Sequence, residues 1–144
     1  MKINYIVRSI FLIFLLLIFG GCASVDVGGY VVPGENLDPK ATYIVLIEPD
    51  DARGAYKLIQ QELERKNLAV EVVDKVSGRA DRDVLVRYGA QWQWDITWYL
   101  LNVNIRFYHM NSELLIASAQ SRRTSLARKN ARSMIQEAIN QVLM

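Results

Sequence analysis

Two stretches decide the fold: Val84-Leu-Val-Arg-Tyr-Gly-Ala-Gln-Trp-Gln-Trp94 and Tyr99-Leu-Leu-Asn-Val-Asn-Ile-Arg-Phe107. In the first, Val84, Val86, Tyr88, Ala90, Trp92 and Trp94 take alternate positions, with Arg87, Gln91 and Gln93 between them. In the second, Tyr99, Leu101, Val103, Ile105 and Phe107 alternate with Asn102, Asn104 and Arg106. Successive side chains of a strand point to opposite faces, so this period predicts two strands with one apolar and one polar face. Leu115, Ala117 and Ala119 continue the pattern more weakly. Asn111-Ser112 suits a two-residue turn because Asn tolerates positive φ, and Asp95-Ile96 is a poorer one. The expectation is a three-stranded antiparallel meander, wet on one side.

Upstream, Thr42-Tyr-Ile-Val-Leu-Ile-Glu48 is a short apolar run stopped by Pro49, which reads as a buried strand. Asp50 or Asp51 then offers a helix cap, and Ala52, Ala55, Tyr56, Ile59 and Leu63 form a helical stripe ending near Asn67. Residues 69–74 read as another strand, giving a right-handed parallel crossover. Downstream, Ala131, Met134, Ile135, Ala138, Ile139 and Val142 make a second stripe, from a cap near Ser125 to the end. The expected class is α+β. It is a mixed, mostly antiparallel sheet of about five strands, ordered strand, helix, four strands, helix, with two helices packed on one face. Residues 41–144 would form that single domain. Residues 23–40, with Gly28, Gly29, Pro33, Gly34 and Pro39, read as a tether reaching roughly 60 Å when extended, or, through their valines and Tyr30, as an added edge strand.

The chain has 144 residues and a net charge of +2, but Lys2 and Arg8 lie in the first 21 residues, which hold no acid. The remainder carries 15 basic and 15 acidic residues. A neutral balance speaks against a nucleic-acid partner, which needs cations to displace phosphate counterions. The basic start, the ten apolar residues from Ile10 to Phe19 and the closing Gly20-Gly21-Cys22 have the shape of a secretory signal over residues 1–21. That apolar run is too short to span a hydrocarbon layer of about 30 Å.

Phe19-Gly20-Gly21-Cys22 resembles the lipobox of bacterial lipoproteins, departing at Phe19, where the family usually has an aliphatic residue. The resemblance implies cleavage before Cys22, a diacylglycerol thioether and an acyl chain on Cys22, and a membrane partner through that anchor. Ala23 after the cysteine, in place of Asp, implies by the same resemblance the outer membrane, facing the periplasm. The element order is also similar to that of the lipopolysaccharide-assembly lipoproteins that plug an outer-membrane barrel. Cys22 is the only cysteine, so once modified it leaves no thiol or disulfide chemistry.

Candidates for catalysis are few. His109 is the single histidine, at an expected exposed strand end, and no Gly-x-Ser-x-Gly elbow or phosphate loop occurs. No catalytic residue, metal site or cofactor is expected. Glu48, Asp50 and Asp51 cluster at a strand–helix junction, where capping accounts for them; a glycan hydrolase built on paired carboxylates would need another acid across a cleft. Trp92 and Trp94 continue the apolar face and are expected in the core. Trp98 is expected under the C-terminal helix, with an exposed tip that meets lipid, sugar or protein as the alternative. Arg122, Arg123, Arg128, Lys129 and Arg132 fall in a stretch without acids and form, with Trp98, the candidate surface for an envelope protein or an anionic glycolipid. The function expected is a non-catalytic envelope binding or assembly module; a glycan hydrolase and a periplasmic spacer are the alternatives.

Overall fold

The computed structural model describes residues 23–144; Cys22 and the signal segment lie outside the described residues. The elements are β1 (Val25–Val31), β2 (Thr42–Leu46), α1 (Ala55–Arg65), β3 (Ala69–Val73), β4 (Val84–Asp95), β5 (Thr97–His109), β6 (Leu115–Arg123) and α2 (Ala131–Ile139). They build one sheet of six strands in the order β1-β6-β5-β4-β2-β3. The β2–β3 and β2–β4 pairings are parallel and the others antiparallel, so the α+β class and the mixed sheet are as expected. The sixth strand is β1, the edge strand that residues 23–40 allowed, and it pairs with β6 from Val25↔Arg123 to Val31↔Ala117. The docking starts earlier still. Ser24 N–H donates to Thr124 Oγ1 at 3.2 Å, and Thr124 N–H donates to the Ser24 carbonyl at 3.1 Å.

The core lies between the helices and one sheet face. Tyr43, Val45, Val86, Ile105 and Phe107 meet Ile59 and Leu63 of α1 and Met134, Ile135, Ala138 and Ile139 of α2, all fully buried. The α1 stripe is shorter than its sequence suggests, because the helix starts at Ala55 behind Gly54 at φ 70°. Asp51 still caps it, from outside the cap position, by accepting the N–H groups of Ala55 at 3.0 Å and Tyr56 at 3.1 Å. Asn67, at φ 61°, ends the turn that follows this helix, as its tolerance of left-handed backbone allows.

Three local expectations are corrected. The second helix begins at Ala131 rather than near Ser125, because Asn130 Oδ1 accepts the Ser133 N–H at 2.8 Å and stops it there; Ser125–Ala127 is a single 3-10 turn. The β5 alternation changes phase at a bulge, where Gln91 faces Asn102 but Trp92 faces Leu100, so Leu101 is the extra residue. Leu100 therefore takes the buried place that the period assigned to Leu101. In the β5–β6 connection the positive φ belongs to Glu113, at 53°, not to Asn111.

Candidate functional site

The β4–β5 pair outruns its neighbours. The pairing of β2 with β4 ends at Val86, and that of β6 with β5 begins at Asn102, yet β4 and β5 stay paired to Asp95↔Thr97. Beyond Gln91↔Asn102 the two strands form an arm projecting roughly 15 Å at about 3.4 Å per residue. Trp92, Trp94 and Trp98, the three tryptophans of the chain, all sit on it. Trp92 packs against the core as expected. Trp94 and Trp98 do not: they are 56% and 47% exposed, with ring centroids 5.6 Å apart. Neither α2 nor any other element covers them, since the arm reaches past the sheet that the helices back. Between them Ile96 turns the chain at φ 62° with 87% of its surface exposed. Left-handed backbone is costly for a β-branched residue, so the tip holds an apolar side chain outward against a conformational penalty.

Cations brace this arm. The Arg53 guanidinium lies 4.4 Å from the Trp98 ring and 5.9 Å from that of Trp92. Arg128 lies 3.9 Å over Tyr99 and bonds Asp95. The direction of the arm follows from the register. Val25 pairs with Arg123, and Arg122 pairs with Asn102, from which β5 runs outward to Thr97. The chain therefore enters β1 at the same end of the sheet from which the arm projects.

The structure disperses the basic segment. Arg123 and Lys129 both bond Glu137 of α2, at 2.9 and 2.6 Å, and Ser121 Oγ donates to the same carboxylate at 2.6 Å. Burial pushes the Glu137 carboxyl up, but its bonds from Lys129, Ser121 and Arg123 outweigh that and hold it below the usual carboxylate range. Arg128 is engaged with Asp95, and Arg132 with Gln61 and, at 4.0 Å, Glu62. Of the five candidate cations Arg122 alone has no acid within ion-pair distance among the described residues; it stands exposed on the opposite sheet face. Intramolecular neutralisation thus accounts for most of what sequence counting presents as a patch.

The acidic junction divides in two. Asp51 faces α1 and also accepts the Tyr88 hydroxyl at 2.7 Å. Burial pushes Asp51 up, but the bonds from Tyr88 and from the Ala55, Tyr56 and Arg53 N–H groups hold it below the carboxylate range, while burial and Asp51 raise Tyr88 well above an ordinary phenol. Glu48 turns to the open sheet face and pairs with Arg87 through two bonds, at 2.9 and 3.1 Å. There, Glu48, Asp50, Arg87, Gly89, Asn104 and Arg106 line a hollow of about 270 Å³. Sequence reasoning did not single this hollow out. Its signal is a glycine at position 89, where the polar alternation Arg87-x-Gly89-x-Gln91 would otherwise carry a side chain. His109 Nε2 lies 2.8 Å from Glu35 Oε2, and no group of metal-binding side chains occurs among the described residues. No helix among them is long and apolar enough to cross a membrane.

Neither a family model nor a curated protein matches the chain. Among solved structures it is similar to the PelC dodecamer from Paraburkholderia phytofirmans, at 13% identity and a TM-score of 0.57, over 83% of this chain and 98% of that one. A variant of the same PelC gives 15% identity and a TM-score of 0.58 over the same shares. TolB from Acinetobacter baumannii aligns more loosely, at 14% identity and a TM-score of 0.44, over 83% of this chain and 31% of that one. At such identities the likeness to PelC is one of fold.

Proposed function

We propose that the chain is a lipid-anchored, non-catalytic binding or assembly module of the bacterial envelope, facing the periplasm, that lies against its membrane through the hairpin arm. The observation that carries this reading is the shared end. Ser24 is bonded to Thr124 where the arm departs, so only Ala23 separates the docked chain from Cys22. Two residues span at most about 7 Å, not the roughly 60 Å of a free tether. An anchor at Cys22 therefore brings the Trp94–Ile96–Trp98 tip to the bilayer surface, where amphipathic indoles are favoured and an isoleucine can be buried. Ala23 beside the lipidated cysteine supports the outer membrane.

Glu48 and Asp50 do share one hollow, the arrangement a glycan hydrolase would need, and what supports the non-catalytic reading is that the other candidate side chains are engaged within the fold. Glu48 is held by Arg87, Asp51 serves the start of α1 and Tyr88, and His109 is paired with Glu35. Assembly of like copies is the second reading, favoured by the dodecamer of PelC. Metabolic labelling with a palmitate analogue tests the anchor: label is expected on the native chain and absent from Cys22→Ala, and label that persists in that variant overturns it. Light scattering of the detergent-extracted chain tests assembly; a particle of several copies supports it and a monomer at all concentrations removes it.

A further inference from the structure

We infer that the open face of the sheet carries a binding site for a neutral glycan chain, centred on Gly89 and Asn104. This site does not depend on the anchor or the arm. Gly89 and Asn104 are direct cross-strand partners, and an added Cβ at Gly89 would meet nothing within 4 Å, so the floor is open down to the backbone. Asn104 Oδ1 is buried at this hollow without a hydrogen-bond partner among the described residues. A buried acceptor left unpaired is costly, and because Asn104 is only half-buried, rotation of its side chain would turn the amide into the hollow, where a donor from outside the chain relieves it.

The neighbouring pair is Arg87↔Arg106, two arginines directly opposite one another on the same side of the sheet. Like charges directly opposite destabilise a sheet, and here Glu48 compensates Arg87 while Arg106 has no acid within ion-pair distance among the described residues. Asp50 lines the same hollow, so two acids balance two cations. A bare anion would meet Glu48 and Asp50, and a bare cation would meet the guanidiniums. A ligand whose groups both donate and accept, and which carries no charge, suits all four. Sugar hydroxyls have that property: they donate to Asn104 Oδ1 and the carboxylates and accept from Arg106.

The shape agrees with a chain rather than a single small molecule. The row of cross-strand pairs that floors the hollow extends beyond it, to Gln91↔Asn102 on one side and Leu85↔Tyr108 on the other. From Leu85 to Gln91 this row runs about 20 Å, the length of a short oligosaccharide. The amides at one end can bond hydroxyls, and the Tyr108 ring at the other offers an apolar platform of the kind on which a pyranose face stacks. An added peptide strand would have to find unpaired backbone, which this face, unlike an edge, does not present.

The test is calorimetric titration of the detergent-purified full chain with maltotetraose, cellotetraose and tetra-N-acetylchitotetraose, with tetragalacturonate as the anionic comparison. One or more of the neutral probes is expected to bind. Gly89→Val, which puts a side chain into the open floor where an added Cβ meets nothing within 4 Å, is expected to weaken that binding at least tenfold, as is Asn104→Ala. Ile96→Asn, on the arm, should leave it unchanged. Binding of tetragalacturonate alone, no binding by any neutral probe, or equal affinity in Gly89→Val overturns the proposal.

Discussion

Replacing Ile96 by Asn should make the domain more stable and its membrane contact weaker. Ile96 sits at φ 62° and is 87% exposed, so it contributes almost no burial to the fold while bearing the cost of left-handed backbone. That cost is about 1–2 kcal/mol for an L-residue, and Asn bears less of it because its short amide bonds locally. The expected gain is about 0.5–1.5 kcal/mol. For a domain of this size it raises Tm by a few degrees, at roughly 4 °C per kcal/mol. Membrane transfer works in the opposite direction. Burying an isoleucine side chain in an apolar phase contributes about 1.5–3 kcal/mol, so its loss should lower vesicle partition about tenfold to a hundredfold. The chain from Ala23 onward, whose core closes within residues 41–139, serves both assays: scanning calorimetry for Tm, and sedimentation with vesicles of phosphatidylethanolamine and phosphatidylglycerol for partition. A lower Tm would show instead that Ile96 packs in the folded state, and an unchanged partition that it never enters the bilayer.

Glu137→Gln should destabilise the domain by about 2–3 kcal/mol in urea unfolding, since Arg123 and Ser121 lose a charged acceptor between α2 and β6, while solvent screens the Lys129 contribution. Because the folded Glu137 carboxyl titrates below its unfolded value, its stabilisation is present above the unfolded value and is lost as pH falls through the depressed one. That part of the acid sensitivity should be missing from the Gln variant. Asp51→Asn should cost about 1–2 kcal/mol by the same measurement, because the first N–H groups of α1 and the Tyr88 hydroxyl lose their ionised acceptor. Gly29→Ala should cost about 1–3 kcal/mol, since its Cβ would lie 2.7 Å from Gln141 Cβ and 3.0 Å from the Ser118 carbonyl, whereas Gly28→Ala, with nothing within 4 Å, should change stability by less than about 0.5 kcal/mol.

The sheet was legible because polarity alternates along β4 and β5, and the helices because their apolar residues recur at steps of three and four. The arm was not. Leu100-Leu101 is apolar at both positions, so the phase slip between them leaves no mark on the pattern, and Trp94 keeps the parity of a core residue after the helices have ceased to cover the sheet. Exposure there depends on where β2 and β6 end, which is a property of other segments. The basic stretch misled for a related reason. Its principal acid, Glu137, lies fourteen residues from Arg123 and eight from Lys129, and only the packing of α2 on β6 brings the three together. Asp51 was recognisable as a cap because capping is local chemistry; Glu48 was not recognisable as the partner of Arg87, thirty-nine residues away across β2 and β4. The hollow over Gly89 is likewise a tertiary feature, made by two strands and the β2–α1 connection.

Whether the arm and the anchor meet the same bilayer is read from tryptophan fluorescence. All three tryptophans of the chain lie on the arm, so emission reports on it alone. The lipidated full chain is reconstituted into vesicles whose acyl chains carry bromine near the headgroup. Emission that shifts to the blue and is quenched by the shallow bromines, with the effect reduced in Trp94→Phe and Trp98→Phe, is the predicted result. Unquenched emission at the same wavelength as in the lipid-free domain, from a chain that is nonetheless anchored, would show that the arm stays in water and does not meet the bilayer.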